Sequence, residues 1–203
     1  KDIDNRPEGL GPLRGSQALA VARFDRAPAG GLVHMEDFAQ VFGLYPDDKY
    51  KTRSLMNIAR VLSAEGEYED VLEFIRRITF NALIGNADAH LKNWSLLYPN
   101  RRSPRLSPAY DLVSTIAYIQ DDVAGLKYSR TKNFSELTLE EFSHLASRAG
   151  LPETAVLNTV KETVARFQEH WAAQRAHLPL SAATISGITA QLAKIPLVRQ
   201  VKY

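Results

Sequence analysis

The run Asn86-Ala87-Asp88-Ala89-His90-Leu91-Lys92-Asn93, with Tyr110-Asp111 beyond it, holds the side chains of this chain best suited to chemistry. It sets a carboxylate at Asp88, a carboxamide five positions later at Asn93 and, after a short apolar stretch, a second carboxylate at Asp111. Kinase-type phosphoryl transfer uses such a set: one carboxylate orients a hydroxyl, while an amide and a carboxylate hold magnesium. Magnesium is a hard ion that takes oxygen ligands, which makes the Asn93 carbonyl and the Asp111 carboxylate suitable donors. Lys92 is a candidate for offsetting the charge of the transferred phosphate. His90 either steadies the loop or touches a phosphate. A plainer reading stands beside this one, because Asn and Asp after a helix end also suit ordinary turns.

Chemistry of this kind needs firm elements around it. Tyr68 to Ile84 reads as a helix, with Val71, Leu72, Ile75, Ile78, Thr79 and Leu83 at helical spacing. Gly85 follows as its left-handed terminator. The octet then runs into a strand, Trp94 to Tyr98, and Pro99-Asn100 and Pro104 turn the chain back through Leu106 to Asp111. Upstream, Ala18 to Phe24 reads as a short strand closed by Asp25-Arg26 and the turn Pro28 to Gly31. Glu36 to Phe42 reads as a short helix ending at Gly43, and Thr52 to Ala64 as a longer one. Downstream, Thr138-Leu139-Glu140-Glu141 predicts a capping box opening a helix that ends near Gly150. Pro152 opens a long helix towards Leu178, and Ser181 to Ile195 forms another, stopped by Pro196. The expected fold is mainly α: one helical domain with a short strand pair carrying the site loops.

Composition narrows the classes. The 203 residues are 45% hydrophobic and 24% charged, ordinary for a globular domain with a real core. A formal charge of +2 is too small to imply nucleic-acid or membrane binding by charge alone. The chain has no Cys, which excludes disulfides and thiolate metal sites and fits a cytoplasmic protein. No apolar run reaches the ~18 residues of a membrane span. Residues 1–17 are rich in Gly, Pro and charge and read as a loop or frayed terminus. The start shows no signal peptide and no initiator Met, so the chain reads as part of a longer one.

Four motifs in order carry a family resemblance over roughly residues 18 to 114. The octet resembles the N-G-D-x-H-x-K-N signature of the HipA-type serine/threonine kinases, the toxins of bacterial toxin–antitoxin pairs. Tyr110-Asp111-Leu112-Val113-Ser114 resembles that family's Y-D-x-x-S. Val21-Ala22-Arg23-Phe24-Asp25-Arg26 resembles its V-E-R-F-D-R hinge, and His34-Met35-Glu36-Asp37-Phe38 its Q-E-D-F helix start. The resemblance implies a kinase-like C-terminal lobe over residues 18–203. It makes Asp88 the catalytic aspartate and Asn93 and Asp111 the magnesium ligands. It puts Phe24, with Arg23 and Asp25, at the adenine and ribose of ATP. It further implies an antitoxin partner with a DNA-binding domain, DNA contacted only through that antitoxin, and a protein substrate such as an aminoacyl-tRNA synthetase. Two positions depart from the family: Ala22 replaces the hinge Glu, and Ala87 replaces a Gly. The family's phosphate-covering loop, ATP-gripping lysine and regulatory serine lie upstream of the hinge. Gly9-x-Gly11 and Lys1 do not match them. The chain as given is therefore expected to hold half of an active site, with a non-catalytic, antitoxin-binding module as the alternative.

Other clusters have ordinary readings. Arg101-Arg102-Ser103-Pro104-Arg105 reads as a solvated hairpin tip or an anion grip, and Lys127 to Lys132 as a basic loop or a substrate-facing one. His170 and His177 are expected on one helix without a third zinc ligand, Phe167 and Trp171 as core or partner contacts, and Asp121-Asp122 as a surface turn.

Overall fold

The structure is a computed structural model, and it describes residues 21–27, 30–119 and 123–201. The expected loop of residues 1–17, the Gly9-x-Gly11 and Lys1 readings and the Asp121-Asp122 turn lie outside the described residues. So do residues 18–20 of the expected strand, and Pro28-Ala29. Val21 to Arg23 carries no regular element, and Phe24-Asp25 forms a turn that leads into a bridge between Arg26 and Leu32.

Four helices enclose the main core: α2 (Leu55–Glu65), α3 (Tyr68–Leu83), α4 (Leu139–Ala149) and α5 (Glu153–Gln174). Their apolar stripes supply Ile58, Leu62, Phe74, Ile75, Ile78, Phe142, Leu145, Val156, Val160 and Val164, all fully buried. Two further helices, α6 (Ala182–Lys194) and the short α7 (Pro196–Gln200), close the far end. Pro196 therefore does more than stop a helix: its fixed φ and missing N–H suit the first position of the next one. The long helix ends at Gln174, which leaves His177 beyond it, off the element that carries His170.

Sequence patterning predicted a strand pair; the sheet has three strands. β1 (His34–Asp37) pairs antiparallel with β2 (Ser95–Tyr98), which pairs antiparallel with β3 (Arg105–Leu106). Glu36 and Asp37, expected in a helix, lie in β1. The turn to helix comes at Asp37, whose carboxylate accepts from the Gln40 N–H at 2.9 Å while the Gln40 side chain returns the bond. That capping box opens a single turn of helix, α1 (Phe38–Val41), and buries Phe38.

The capping box expected at Thr138 is only half formed. Thr138 caps the Glu141 N–H, but the Glu141 carboxylate turns away. It accepts instead from the backbone N–H groups of Ser129, Arg130 and Thr131 and from the Arg130 guanidinium. The basic segment 127–132 is thus tied down from beneath, with Tyr128 buried and donating to the Ile78 carbonyl at 3.0 Å. Arg105, at the base of the basic hairpin, pairs with Asp70 at the start of α3. Arg101 and Arg102 stay exposed at the tip.

Candidate functional site

The octet lies between the C-terminus of α3 and β2, and local hydrogen bonds shape nearly every step of it. Gly85 takes a φ of +66°, a conformation open to Gly without a Cβ penalty, and ends α3. Asn86 follows, almost fully buried. Its side-chain N–H donates to Asn81 in the last turn of α3, and its side-chain carbonyl accepts the Asp88 N–H at 3.0 Å. This Asx turn aims Asp88 outward. Leu91–Asn93 then forms one 3-10 turn, and the Asn93 side-chain oxygen accepts the His90 N–H at 2.8 Å.

The strand pair returns Asp111 to the octet. The Asn93 side-chain amide donates to the Asp111 carboxylate, and the Asn86 amide lies 3.5 Å from the Asp111 carbonyl. Tyr110 anchors this approach: its hydroxyl donates to the Lys92 carbonyl at 2.8 Å and meets the Ser95 hydroxyl at 2.6 Å. Asp111 itself holds a φ of +55°, a left-handed conformation that Asp tolerates better than most residues.

Behind it, residues 114–116 strap the two loops together. Ser114 donates to the Ile84 carbonyl and Thr115 to the Gly85 carbonyl, while the Ala87 N–H donates back to the Thr115 hydroxyl at 2.9 Å. Ile116 wedges between Gly85 and Gly187, where added Cβ atoms would come within 2.9 and 2.7 Å of it. Gly125 closes over the octet from the other side. A Cβ there would sit 2.8 Å from the Ala89 carbonyl oxygen and 3.1 Å from that of Ala87.

The expected residues fall into three groups. Asp88, Asn93 and Asp111 come together at the surface end of the α3–β2 connection. Lys92 is exposed on the same turn, its carbonyl bound by Tyr110. His90 is buried, with its Nδ1 unpartnered, and burial, aided by Lys49, pushes its pKa below the usual value. Burial thus favours its neutral form. Phe24 packs its ring on Tyr110 at 5.7 Å, which places the hinge segment beside the Asp111 loop. Arg23 and Asp25 pair with each other there. Asp25 is held near 2 by the Arg23 hydrogen bonds, with Arg26 adding to the effect against the cost of burial.

Tyr50 is the contact that sequence reading missed. Its hydroxyl donates to the Asp88 carboxylate from 38 residues away, and its ring stands edge-on to His90 at 5.1 Å. Burial first, then Asp88, pushes that phenol up to about 12. Tyr45 to Lys51 reads as a loop in sequence and is one around a 3-10 turn, Pro46–Asp48; nothing in its composition marks Tyr50.

The donor set suits magnesium in the manner typical of that ion. Asp111 offers exposed carboxylate oxygens, and the Asn93 side-chain oxygen, which accepts the His90 N–H, keeps a second lone pair for a metal. So few protein ligands leave room for water and phosphate oxygens. Among the described residues, no group of three or more His, Asp or Glu is placed to hold a metal.

A model of the HipA-like C-terminal domain family matches residues 3–171. The chain belongs to that family. It is 51% identical over 199 residues to "Putative kinase Y4dM" of Sinorhizobium fredii (strain NBRC 101917 / NGR234), covering 98% of this chain and 48% of that protein. It is 34% identical over 185 residues to "Putative kinase Y4mE" of the same organism, covering 82% of this chain and 44% of that protein. Its fold resembles a chain in the solved Shewanella oneidensis MR-1 complex of HipA, HipB and operator DNA. That match has a TM-score of 0.69 at 21% identity and covers 88% of this chain and 49% of the other. The chain thus spans about half the length of the proteins it matches. Within this HipA-like domain, Ala87 is accommodated where the signature has Gly, because its φ is not positive. Ala22, in place of the hinge Glu, is exposed.

Proposed function

We propose that residues 18–203 form the catalytic lobe of a HipA-type protein serine/threonine kinase that uses ATP and magnesium in the cytoplasm. The observation that carries this reading is the convergence of Asn93 and Asp111 from separate segments beside Asp88, on loops fixed by Asn86, Tyr110 and Thr115. Such fixing is what positioning chemistry requires.

Each side chain then has a task. Asn93 and Asp111 would hold the magnesium ion, which supplies neutralising charge to phosphate oxygens. Asp88 accepts a hydrogen bond from the acceptor hydroxyl and aims its oxygen. Lys92, exposed on the same turn, offsets phosphate charge. Neutral His90 fills the space beneath without adding charge. Phe24, with the Arg23–Asp25 pair, lies on the Tyr110 side of the site and suits contact with adenine and ribose. The acceptor is a Ser or Thr of a protein such as an aminoacyl-tRNA synthetase. The partner is an antitoxin, through which any link to DNA runs, and the HipA, HipB and DNA complex that shares this fold supports that assignment.

The test is Mg-dependent phosphoryl transfer from ATP by the protein containing this lobe, compared with Asp88→Asn. Loss of a positioned general base costs roughly 10²–10⁴-fold. Equal rates in the two proteins would remove Asp88 from the mechanism.

One observation favours a second reading, a protein-docking module. A groove of about 600 Å³ between α3, α5 and α6 is lined by Phe80, Ile84, Phe167, Trp171, Leu178 and Ile188. Calorimetric binding of an antitoxin without any binding of Mg-ATP would support that reading over the first.

A further inference from the structure

We infer that Tyr50 is a built-in stand-in for the acceptor: its hydroxyl fills the place on Asp88 that a substrate hydroxyl must take. An acceptor then enters by displacing Tyr50. This rests on the phosphotransfer reading above.

The geometry supports it at each contact. A phosphoryl acceptor presents a protonated hydroxyl as donor to the aspartate that aims it. Tyr50 does the same, as an O–H donor to the Asp88 carboxylate. Its high pKa keeps the proton on oxygen at neutral pH, so it behaves as an alcohol would.

The loop is built both to present this ring and to withdraw it. Its backbone is clipped to the octet by the bond from the Leu91 N–H to the Lys49 carbonyl at 3.2 Å. Tyr50 itself is 43% exposed, so solvent is open to the ring. Two residues on, Thr52 holds a φ of +62°, an uncommon conformation for a β-branched side chain. Lys49, on the same loop, sets a cation 5.0 Å from the ring centre.

Two measurements test this. The first is acetylation of tyrosine hydroxyls by N-acetylimidazole, mapped by mass spectrometry. Tyr68, 50% exposed, is the internal reference for Tyr50. Tyr50 should react roughly tenfold more slowly than Tyr68, the worth of one hydrogen bond to a charged group. In Asp88→Ala the two rates should converge. Equal rates in the parent chain would overturn the proposal.

The second is Mg-dependent ATP hydrolysis by the protein containing this lobe, in which water is the smallest acceptor, compared with its Tyr50→Phe variant. That variant keeps the ring on His90 and removes only the hydroxyl. Hydrolysis should rise roughly tenfold, with KM for ATP unchanged. A fall would mean that Tyr50 orients Asp88 for the reaction, and would overturn the stand-in role. No hydrolysis by either protein counts against the phosphotransfer reading, and the acceptor role of Tyr50 falls with it. A protected Tyr50 would then still mark the Asp88 contact as real.

Discussion

Asp88 owes its aim to Asn86, and Asp111 owes its place to Asn93 and Tyr110. A surface carboxylate alone samples many rotamers, whereas here the Asp88 N–H is held by Asn86 and the Asp111 carboxylate by Asn93. Asp111 adds a conformational demand, because its φ of +55° suits Asp, Asn or Gly. Two substitutions therefore separate the metal role from the backbone role. Asp111→Asn keeps a residue that tolerates the left-handed region and removes the charge. Asp111→Ala removes the charge and adds about 1–2 kcal/mol of strain. Both should lose Mg-dependent ATP binding by calorimetry, and only the Ala variant should unfold at lower urea.

At the scale of elements, the octet is a floor with a roof. Gly125 supplies the roof, packed on the carbonyls of Ala87 and Ala89. In Gly125→Ala the new methyl would meet backbone rather than a flexible side chain, so the loop must shift. A loss of about 1–3 kcal/mol is expected from overpacking of this kind, with faster hydrogen exchange across residues 86–93. Near-parental stability and exchange would show that the roof is loose.

Glu141 fixes the neighbouring segment in a pH-dependent way. Burial alone would raise its pKa, but the Arg130 guanidinium and the backbone N–H groups of residues 129–131 together hold it below the ordinary 4.5. A carboxyl with a lowered folded pKa adds stability above its unfolded value, and that stability is lost as pH falls through the folded one. Unfolding free energy should therefore decline below pH ~4.5, and Glu141→Gln should flatten that decline. Unchanged slopes in the two proteins would contradict the assignment.

Much of this scaffold was legible in the sequence. The periodicity of α3, its glycine stop and the strand after the octet follow from local rules, and all are present. Two of the misreadings come from partners outside the local window. β1 exists because Glu36 and Asp37 pair with Leu96 and Ser95, sixty residues on, and local pattern could not anticipate that. Glu141 left its capping box for a loop ten residues upstream that offered three N–H groups and a guanidinium.

The whole molecule is a helical body that carries one polar corner. Of that corner, Asp88, Asn93 and Asp111 stood out by residue type and spacing, because their chemistry is distinctive. Tyr50, Thr115 and Gly125 did not, since a tyrosine in a loop, a threonine in an apolar stretch and a glycine at a turn have many uses. Their roles come from what the fold sets against them. No described helix is long and apolar enough to cross a membrane.

Under the proposed function, Asn93 and Asp111 form a magnesium site with Asp88 beside it. The most direct measurement is nuclear magnetic resonance of the 15N-labelled chain with ATP and Mn²⁺, a paramagnetic substitute for magnesium. The Asn93 side-chain amide and the backbone amides of Asp88 and Asp111 should broaden first, and Asp111→Ala should abolish the effect. Broadening centred elsewhere, or the same broadening in Asp111→Ala, would contradict the account.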